Sequence, residues 1–214
     1  NRRRILLEGA PGTGKTMTAS VIASELGMTL YIVQMDKLIT KYMGETSVKL
    51  RQIFDAIQHN VGVYLFDEFD AIGADRGLDN EVGEMRRILN SFLQFIEADS
   101  SESIVIAATN NKQMLDRALF RRFDDVLHYG LPTAEEAGMI AESVIGGYDT
   151  KFFASDKLSE RLARLCQAEI VGVCRDAIKD ALLSGGPVTN EGVLALCDER
   201  LGIYGPSDTE KLAG

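Results

Sequence analysis

Gly9-Ala10-Pro11-Gly12-Thr13-Gly14-Lys15-Thr16 is the stretch that decides the fold. It fits the pattern G-x-x-x-x-G-K-[ST], a glycine-rich loop that cradles phosphate. The composition follows from that task. Gly12 and Gly14 reach backbone angles that other residues resist, and they let successive N–H groups approach phosphate oxygens closely. Lys15 is placed to reach β and γ phosphates, and the Thr16 hydroxyl to ligate Mg²⁺. The flanks agree. Apolar Ile5-Leu6-Leu7 reads as a strand, and Met17 to Leu26 as a helix whose positive dipole end faces the phosphates. Nucleotide contacts are therefore expected from Gly9, Pro11, Gly12, Thr13, Gly14, Lys15, Thr16 and Met17.

Outward from this loop, strand-like and helix-like segments alternate. Residues 29–35, Val61 to Phe66, Ile104 to Ala108 and Val126 to Tyr129 are further apolar runs. Runs that are apolar on both faces suit buried parallel strands. Helical spacing separates them, with Leu50, Ile53, Phe54 and Ile57, then Met85, Ile88, Leu89, Phe92, Leu93 and Ile96. Such alternation predicts an α/β unit over residues 1–131, a parallel sheet sandwiched by helices with right-handed crossovers. Beyond Leu131-Pro132, with Thr133 as a helix N-cap, only helical stripes follow. They predict a small all-helical subdomain over 132–200, too small to be very stable alone and expected to pack on the sheet unit. Residues 201–214 read as a loose tail.

Val63-Tyr64-Leu65-Phe66-Asp67-Glu68 is an apolar strand ending in two acids. Ligands bind at the carboxyl edge of open α/β sheets. After a phosphate loop, the pair divides its labour. Asp67 binds the nucleotide's Mg²⁺ together with Thr16, and Glu68 activates water for in-line attack on the γ-phosphate. A phosphate-transferring kinase would need an acceptor site, and none shows itself.

Bulk composition bounds the rest. The 214 residues carry 23 Lys+Arg against 32 Asp+Glu, a net charge of -9, with 45% hydrophobic residues. That composition excludes a disordered chain and opposes bulk attraction to nucleic acid or anionic membrane. No apolar run approaches the ~18 residues of a membrane helix, and the first residues do not read as a signal peptide. Cys166, Cys174 and Cys197 lack C-x-x-C spacing, which favours a reducing, cytoplasmic setting over disulfides or zinc. Cys174 shares an apolar stripe with Ile170, Val173, Ala177, Ile178, Ala181 and Leu182 and is expected to be core. His59 and His128 lie far apart, and each is expected to be structural or solvent-facing.

Taken together, these motifs resemble the AAA+ ATPases, specifically the AAA clade proper, over about residues 3–199. Gly9–Thr16 resembles the Walker A loop and Phe66–Glu68 the Walker B motif. Phe69 to Arg76 is similar to the segment that follows Walker B in the family. Ile104–Asn110 resembles the sensor-1 strand. Leu115 to Leu119 with Arg121-Arg122-Phe123-Asp124 resembles the second region of homology. In the family's terms, Asn110 is sensor 1, and Arg121 and Arg122 are candidate arginine fingers reaching a neighbouring subunit's ATP, Arg122 preferred. With Glu68 they make the catalytic set. Cys166-Gln167-Ala168-Glu169-Ile170 resembles a lid sequence that places Gln167 and Ala168 against the base or ribose.

The same resemblance marks Tyr42, Met43 and Gly44 as a pore loop that grips polypeptide, an aromatic wedge beside an adaptable thioether. The loop Arg76 to Glu81 is a second candidate facing the pore or a subunit. The implied function is an ATP- and Mg²⁺-dependent motor that remodels, unfolds or threads protein through a ring of identical subunits, a hexamer. Its partners are a protein substrate or adaptor, with neither membrane nor nucleic acid expected. The alternative is a nucleotide-dependent switch or scaffold, or a nucleic-acid-loading motor. The chain starts almost on the phosphate-loop strand, so adenine-holding residues and substrate-choosing domains are expected outside it.

Overall fold

Five apolar segments become strands: β1 (Arg4–Gly9), β2 (Leu30–Gln34), β3 (Val63–Asp67), β4 (Ile104–Thr109) and β5 (Asp125–Tyr129). They pair in parallel in the order β2-β3-β4-β1-β5. The computed structural model describes residues 2–39, 44–72, 79–110 and 120–210, leaving aside the side chains of 79–82, 84 and 204–210. Two compact units emerge. One comprises Asn1–Gly9 with Lys15–Tyr129, the other Ala10–Gly14 with Gly130–Gly214.

In the first unit, successive strand residues face opposite sides of the sheet. Leu6, Tyr64, Phe66, Val105 and Ala107 face one side. There they pack with Leu50, Phe54 and Ile57 of α3 (Glu45–His59) and with Ile88, Phe92 and Ile96 of α4 (Asp79–Ala98). Leu7, Val63, Leu65, Ile106 and Ala108 face the other, against Ala19 and Ala23 of α1 (Lys15–Glu25). A short α2 (Met35–Leu38) follows β2, and a 3₁₀ turn (Phe69–Ile72) follows β3. The expectation of burial on both faces holds for β3 and β4 and for the centre of β1. It fails at β2 and β5, where Tyr31, Ile32, Leu127 and His128 are exposed, because these strands are the sheet edges.

The second unit is helical beyond its loop residues: α5 (Ala134–Gly146), α6 (Asp156–Leu162), α7 (Gln167–Ser184) and α8 (Asn190–Glu210). Thr133 caps α5 as its sequence predicts. Its Oγ1 accepts from Glu136 N at 3.2 Å, and its own N–H donates to Glu136 Oε2 at 2.8 Å. Ala137, Ala141, Ile145, Leu158, Leu162, Ile170, Val173 and Cys174 form the core. Leu182 does not join it and is 61% exposed. It lies eight residues beyond Cys174, about 80° off that stripe at ~100° per residue. Cys174 and Cys197 are buried core thiols whose pKa values burial pushes up to about 12 and about 11. α8 continues through Glu210, past residue 201, where the tail is expected to begin. Glycine and proline there lower helix propensity without forbidding the backbone conformation.

Candidate functional site

Parallel strands deliver their carboxyl ends to one edge, and the order β3-β4-β1 sets three such ends side by side. The β1 end enters the glycine loop at Gly9, the β3 end carries Asp67 and Glu68, and the β4 end carries Thr109 and Asn110. Residues dispersed over a hundred positions are thus brought to neighbouring strand ends by the strand order.

In the first unit, Lys15 begins α1 and is 6% exposed, its Nζ donating to the Gly9 carbonyl at 2.6 Å. The Thr16 hydroxyl donates to Asp67 Oδ2 at 2.9 Å. Asp67 Oδ1 accepts from the Glu68 N–H at 3.0 Å. A hydroxyl and a carboxylate in contact are hard oxygen donors of the kind that Mg²⁺ selects. Among the described residues no group of three or more His, Cys, Asp or Glu side chains could hold a metal unaided. A protein share of two oxygens suits an ion that keeps its waters and nucleotide phosphates as ligands.

Glu68 has φ 55, and among the described residues no other non-glycine has positive φ. A left-handed non-glycine costs about 1–3 kcal/mol and persists where surrounding structure over-determines it. The next residue is Phe69. Fully buried, it packs on the Phe92 ring with centroids 4.7 Å apart. The Glu68 carboxyl stays exposed beside other acids. Its pKa is raised by the negative charge of Asp36 first, then by burial, by Asp67, by a side-chain hydrogen bond with Asp36 and by Asp70. Asp36 is a neighbour that the sequence did not single out.

The β4 end is fastened from the same turn. Asp70 Oδ1 accepts from the Asn110 N–H at 3.0 Å and from Thr109 Oγ1 at 3.4 Å. Asn110 itself is exposed.

In the second unit, Gly12 and Gly14 have φ of 78° and 99°, the left-handed region that glycine enters freely. A Cβ on Gly12 would lie 2.7 Å from Cys166 Sγ and 3.1 Å from Ala168 Cβ. The Ala168 N–H donates to the Gly12 carbonyl at 2.9 Å. Thr13 is buried, its hydroxyl donating to Ala10 O at 2.8 Å. Gln167 Nε2 donates to Gly130 O at 3.3 Å, while Gln167 Oε1 is enclosed with no hydrogen-bond partner among the described residues. An orphaned acceptor beside this loop segment fits a polar ligand group. Cys166, which walls the loop at Gly12, is a contact that sequence reasoning missed.

The remaining candidates are scattered. Met17 is 71% exposed on α1, and Pro11 is exposed in the loop. Arg121 and Arg122 are exposed ahead of β5, and Arg122 pairs with Glu97 of α4. His128 pairs with Glu8 at 2.8 Å, and His59 Nδ1 lies 2.7 Å from the Asp55 carbonyl, both structural settings as expected. Gly44 is the N-cap of α3 at φ 83. Tyr42 and Met43 lie outside the described residues, as do Leu115–Leu119, the end of the segment that follows Asp67-Glu68 and the start of the second loop, residues 73–78 together. Among the described residues no helix is long and apolar enough to cross a membrane.

The sequence is similar to those of known proteins. The model of the "ATPase family associated with various cellular activities (AAA)" matches residues 5–131. An uncharacterized AAA family ATPase, y4kL, of Sinorhizobium fredii is 38% identical over 182 residues, 85% of this chain and 55% of its own length. A putative 26S proteasome regulatory subunit homolog of Methanothermobacter thermautotrophicus is 32% identical over 160 residues, 73% of this chain and 43% of its own. Peroxisomal ATPase PEX6 of Saccharomyces cerevisiae is 33% identical over 195 residues, 85% of this chain and 18% of its own. The chain thus spans about half the length, or less, of these curated relatives. On the matched sheet unit and on these relatives, the chain belongs to the AAA family of ATPases.

Proposed function

We propose that the protein binds and hydrolyses ATP and couples the cycle to remodelling, unfolding or threading of protein substrates through a ring of its own copies, a hexamer. The observation that carries the hydrolytic half is the Thr16–Asp67 contact, with Glu68 and Asn110 on neighbouring strand ends. The relatives' printed descriptions, a proteasome regulatory subunit homolog and a peroxisomal ATPase, favour a protein substrate.

Each residue has a part in that reading. Backbone N–H groups of the Gly9–Thr16 loop and the Lys15 ammonium bind the phosphates. Thr16 and Asp67 would hold Mg²⁺, which supplies charge neutralisation to the phosphates. Glu68 takes a proton from the water that attacks the γ-phosphorus, as ADP departs as leaving group. A base with a raised pKa is better matched to that transfer near neutral pH than an ordinary carboxylate. Asn110 orients the water, and Arg121 or Arg122 of an adjacent copy meets charge developing on the phosphoryl oxygens. Gln167 and Ala168 meet the base or ribose, with Gln167 Oε1 the acceptor in want of a donor. Tyr42 and Met43 grip the substrate polypeptide.

The test has two arms. Glu68→Gln is expected to retain ATP affinity and lose about 10²–10⁴-fold in turnover; near-normal turnover would refute Glu68 as the base. Wild-type turnover is expected to rise with added unfolded protein. Stimulation by DNA alone would refute the protein-remodelling half and favour a nucleic-acid-loading motor.

A further inference from the structure

The Asp67-Glu68 pair and Asn110 sit on adjacent strands, yet nothing in the strand ladder fixes how they stand relative to one another beyond the last paired residues. The β3–β4 register ends at Phe66↔Ala107, before any of the three. Past that point each strand is paired only on its other side, β3 with β2 through Gln34↔Asp67 and β4 with β1 through Glu8↔Thr109. Asn110 is the first residue beyond β4 and is exposed, a position free to fray.

The Asp70 side chain spans the gap. Asp70, in the first turn of the 3₁₀ segment that begins directly after Glu68, presents a single carboxylate oxygen to two donors. They are the Asn110 N–H at 3.0 Å and the Thr109 hydroxyl at 3.4 Å. That segment is anchored by Phe69 and Ile72, at 0% and 2% exposed. The Ala71 N–H also closes back onto the Glu68 carbonyl at 2.9 Å. So the backbone of Asn110 is tied to the very turn that holds Glu68 at its left-handed angle. Hydrogen bonds accepted by an ionised carboxylate are about twice as strong as neutral ones.

We infer that Asp70 is a positioning residue for hydrolysis: by gripping the Asn110 N–H and the Thr109 hydroxyl, it sets the Asn110 side chain against the water activated by Glu68. It touches neither nucleotide nor water and acts through Asn110. The inference rests on the reading of Glu68 and Asn110 given above. It predicts a defect in turnover rather than in nucleotide binding, because only the orientation of the attacking water depends on it.

The experiment uses Asp70→Ala and Asp70→Asn, each alone and combined with Asn110→Ala. The readouts are kcat, ATP affinity measured in a Glu68→Gln background, and hydrogen exchange of the Asn110 amide by NMR. In Asp70→Ala, kcat is expected to fall at least tenfold while ATP affinity stays within about twofold. The Asn110 amide, exposed and protected by this bond, is expected to exchange faster. Asp70→Asn keeps an acceptor oxygen and is expected to restore most of kcat and of the amide protection. In the Asn110→Ala background, Asp70→Ala is expected to cost little more, since its effect runs through the missing side chain. Additive losses in the double variant, equal losses in the Ala and Asn variants, or a fall in affinity matching that in kcat would overturn the inference. Failure of the underlying reading looks different: Asn110→Ala alone would then leave kcat unchanged, while the Asn110 amide would still report whether Asp70 grips it.

Discussion

At the scale of single residues, the legible part of the site is the part whose chemistry is written in consecutive positions. Gly9–Thr16 needs only its own composition, and Asp67-Glu68 needs only to end an apolar strand. Side chains whose partners are far along the chain stay hidden, because strand order and not spacing brings them together. Asp70 with Asn110 is one such case, and Asp124 is another. Its Oδ2 accepts from the Arg3 N–H at 2.8 Å and from the Arg4 N–H at 2.9 Å, joining the start of β1 to the approach to β5. Burial works to raise the Asp124 pKa, but these two bonds and the positive charge of Arg4 outweigh it and hold the carboxyl below 3.8. A folded-state pKa that is depressed contributes stability above the unfolded value, and that contribution is lost as pH falls through the folded value. Asp124→Asn is therefore expected to lower stability at neutral pH by on the order of 0.5–1 kcal/mol, allowing for its exposure to solvent. The difference from wild type should shrink in the acid range below about pH 4. Urea denaturation at both pH values checks this, and a deficit independent of pH would show that the carboxylate charge is not what matters.

At the scale of elements, helical spacing located α3 and α4, and apolar runs located all five strands, because burial against the sheet imposes those periods. Edge exposure was not legible, since a run such as Tyr31-Ile32-Val33 does not reveal whether a neighbour will pair with both its sides. Neither was the support beneath the acid turn. Phe92 of α4 meets Phe54, Phe66 and Phe69 with ring centroids 5.6, 5.0 and 4.7 Å apart. In sequence it is one apolar residue of a stripe. In the fold it is the ring on which Phe69 rests, and Phe69 follows Glu68. Phe92→Ala is expected to cost about 3–5 kcal/mol, as a buried aromatic truncation does. Phe92→Leu should cost less and keep more of the turnover, since it fills more of the space. A loss under about 1 kcal/mol in Phe92→Ala would show that the ring cluster does not carry the turn.

At the scale of the whole molecule, net charge was a poor guide to the ligand. A chain of net -9 is proposed to bind a polyanion by placing single cations, Lys15 within one copy and an arginine from the next. The second of these has a competitor inside its own chain, because Arg122 pairs with Glu97. A finger that serves a neighbour must exchange that carboxylate for phosphoryl oxygens. Exchange between two subunits can be isolated by mixing two inactive variants. Arg122→Ala keeps its own Glu68 but offers no finger, and Glu68→Gln offers the finger but lacks the base. Each alone is expected to turn over at least about 10²-fold more slowly than wild type. In a head-to-tail ring mixed one to one at random, about a quarter of the interfaces pair an intact base with an intact arginine. The mixture is therefore expected to regain measurable ATPase activity that neither variant has. Repeating the mix with Arg121→Ala decides which arginine acts, since only the variant lacking the true finger needs rescue. Absence of recovery from either mixture would mean that neither arginine acts in trans, and Arg122 would then be a structural partner of Glu97.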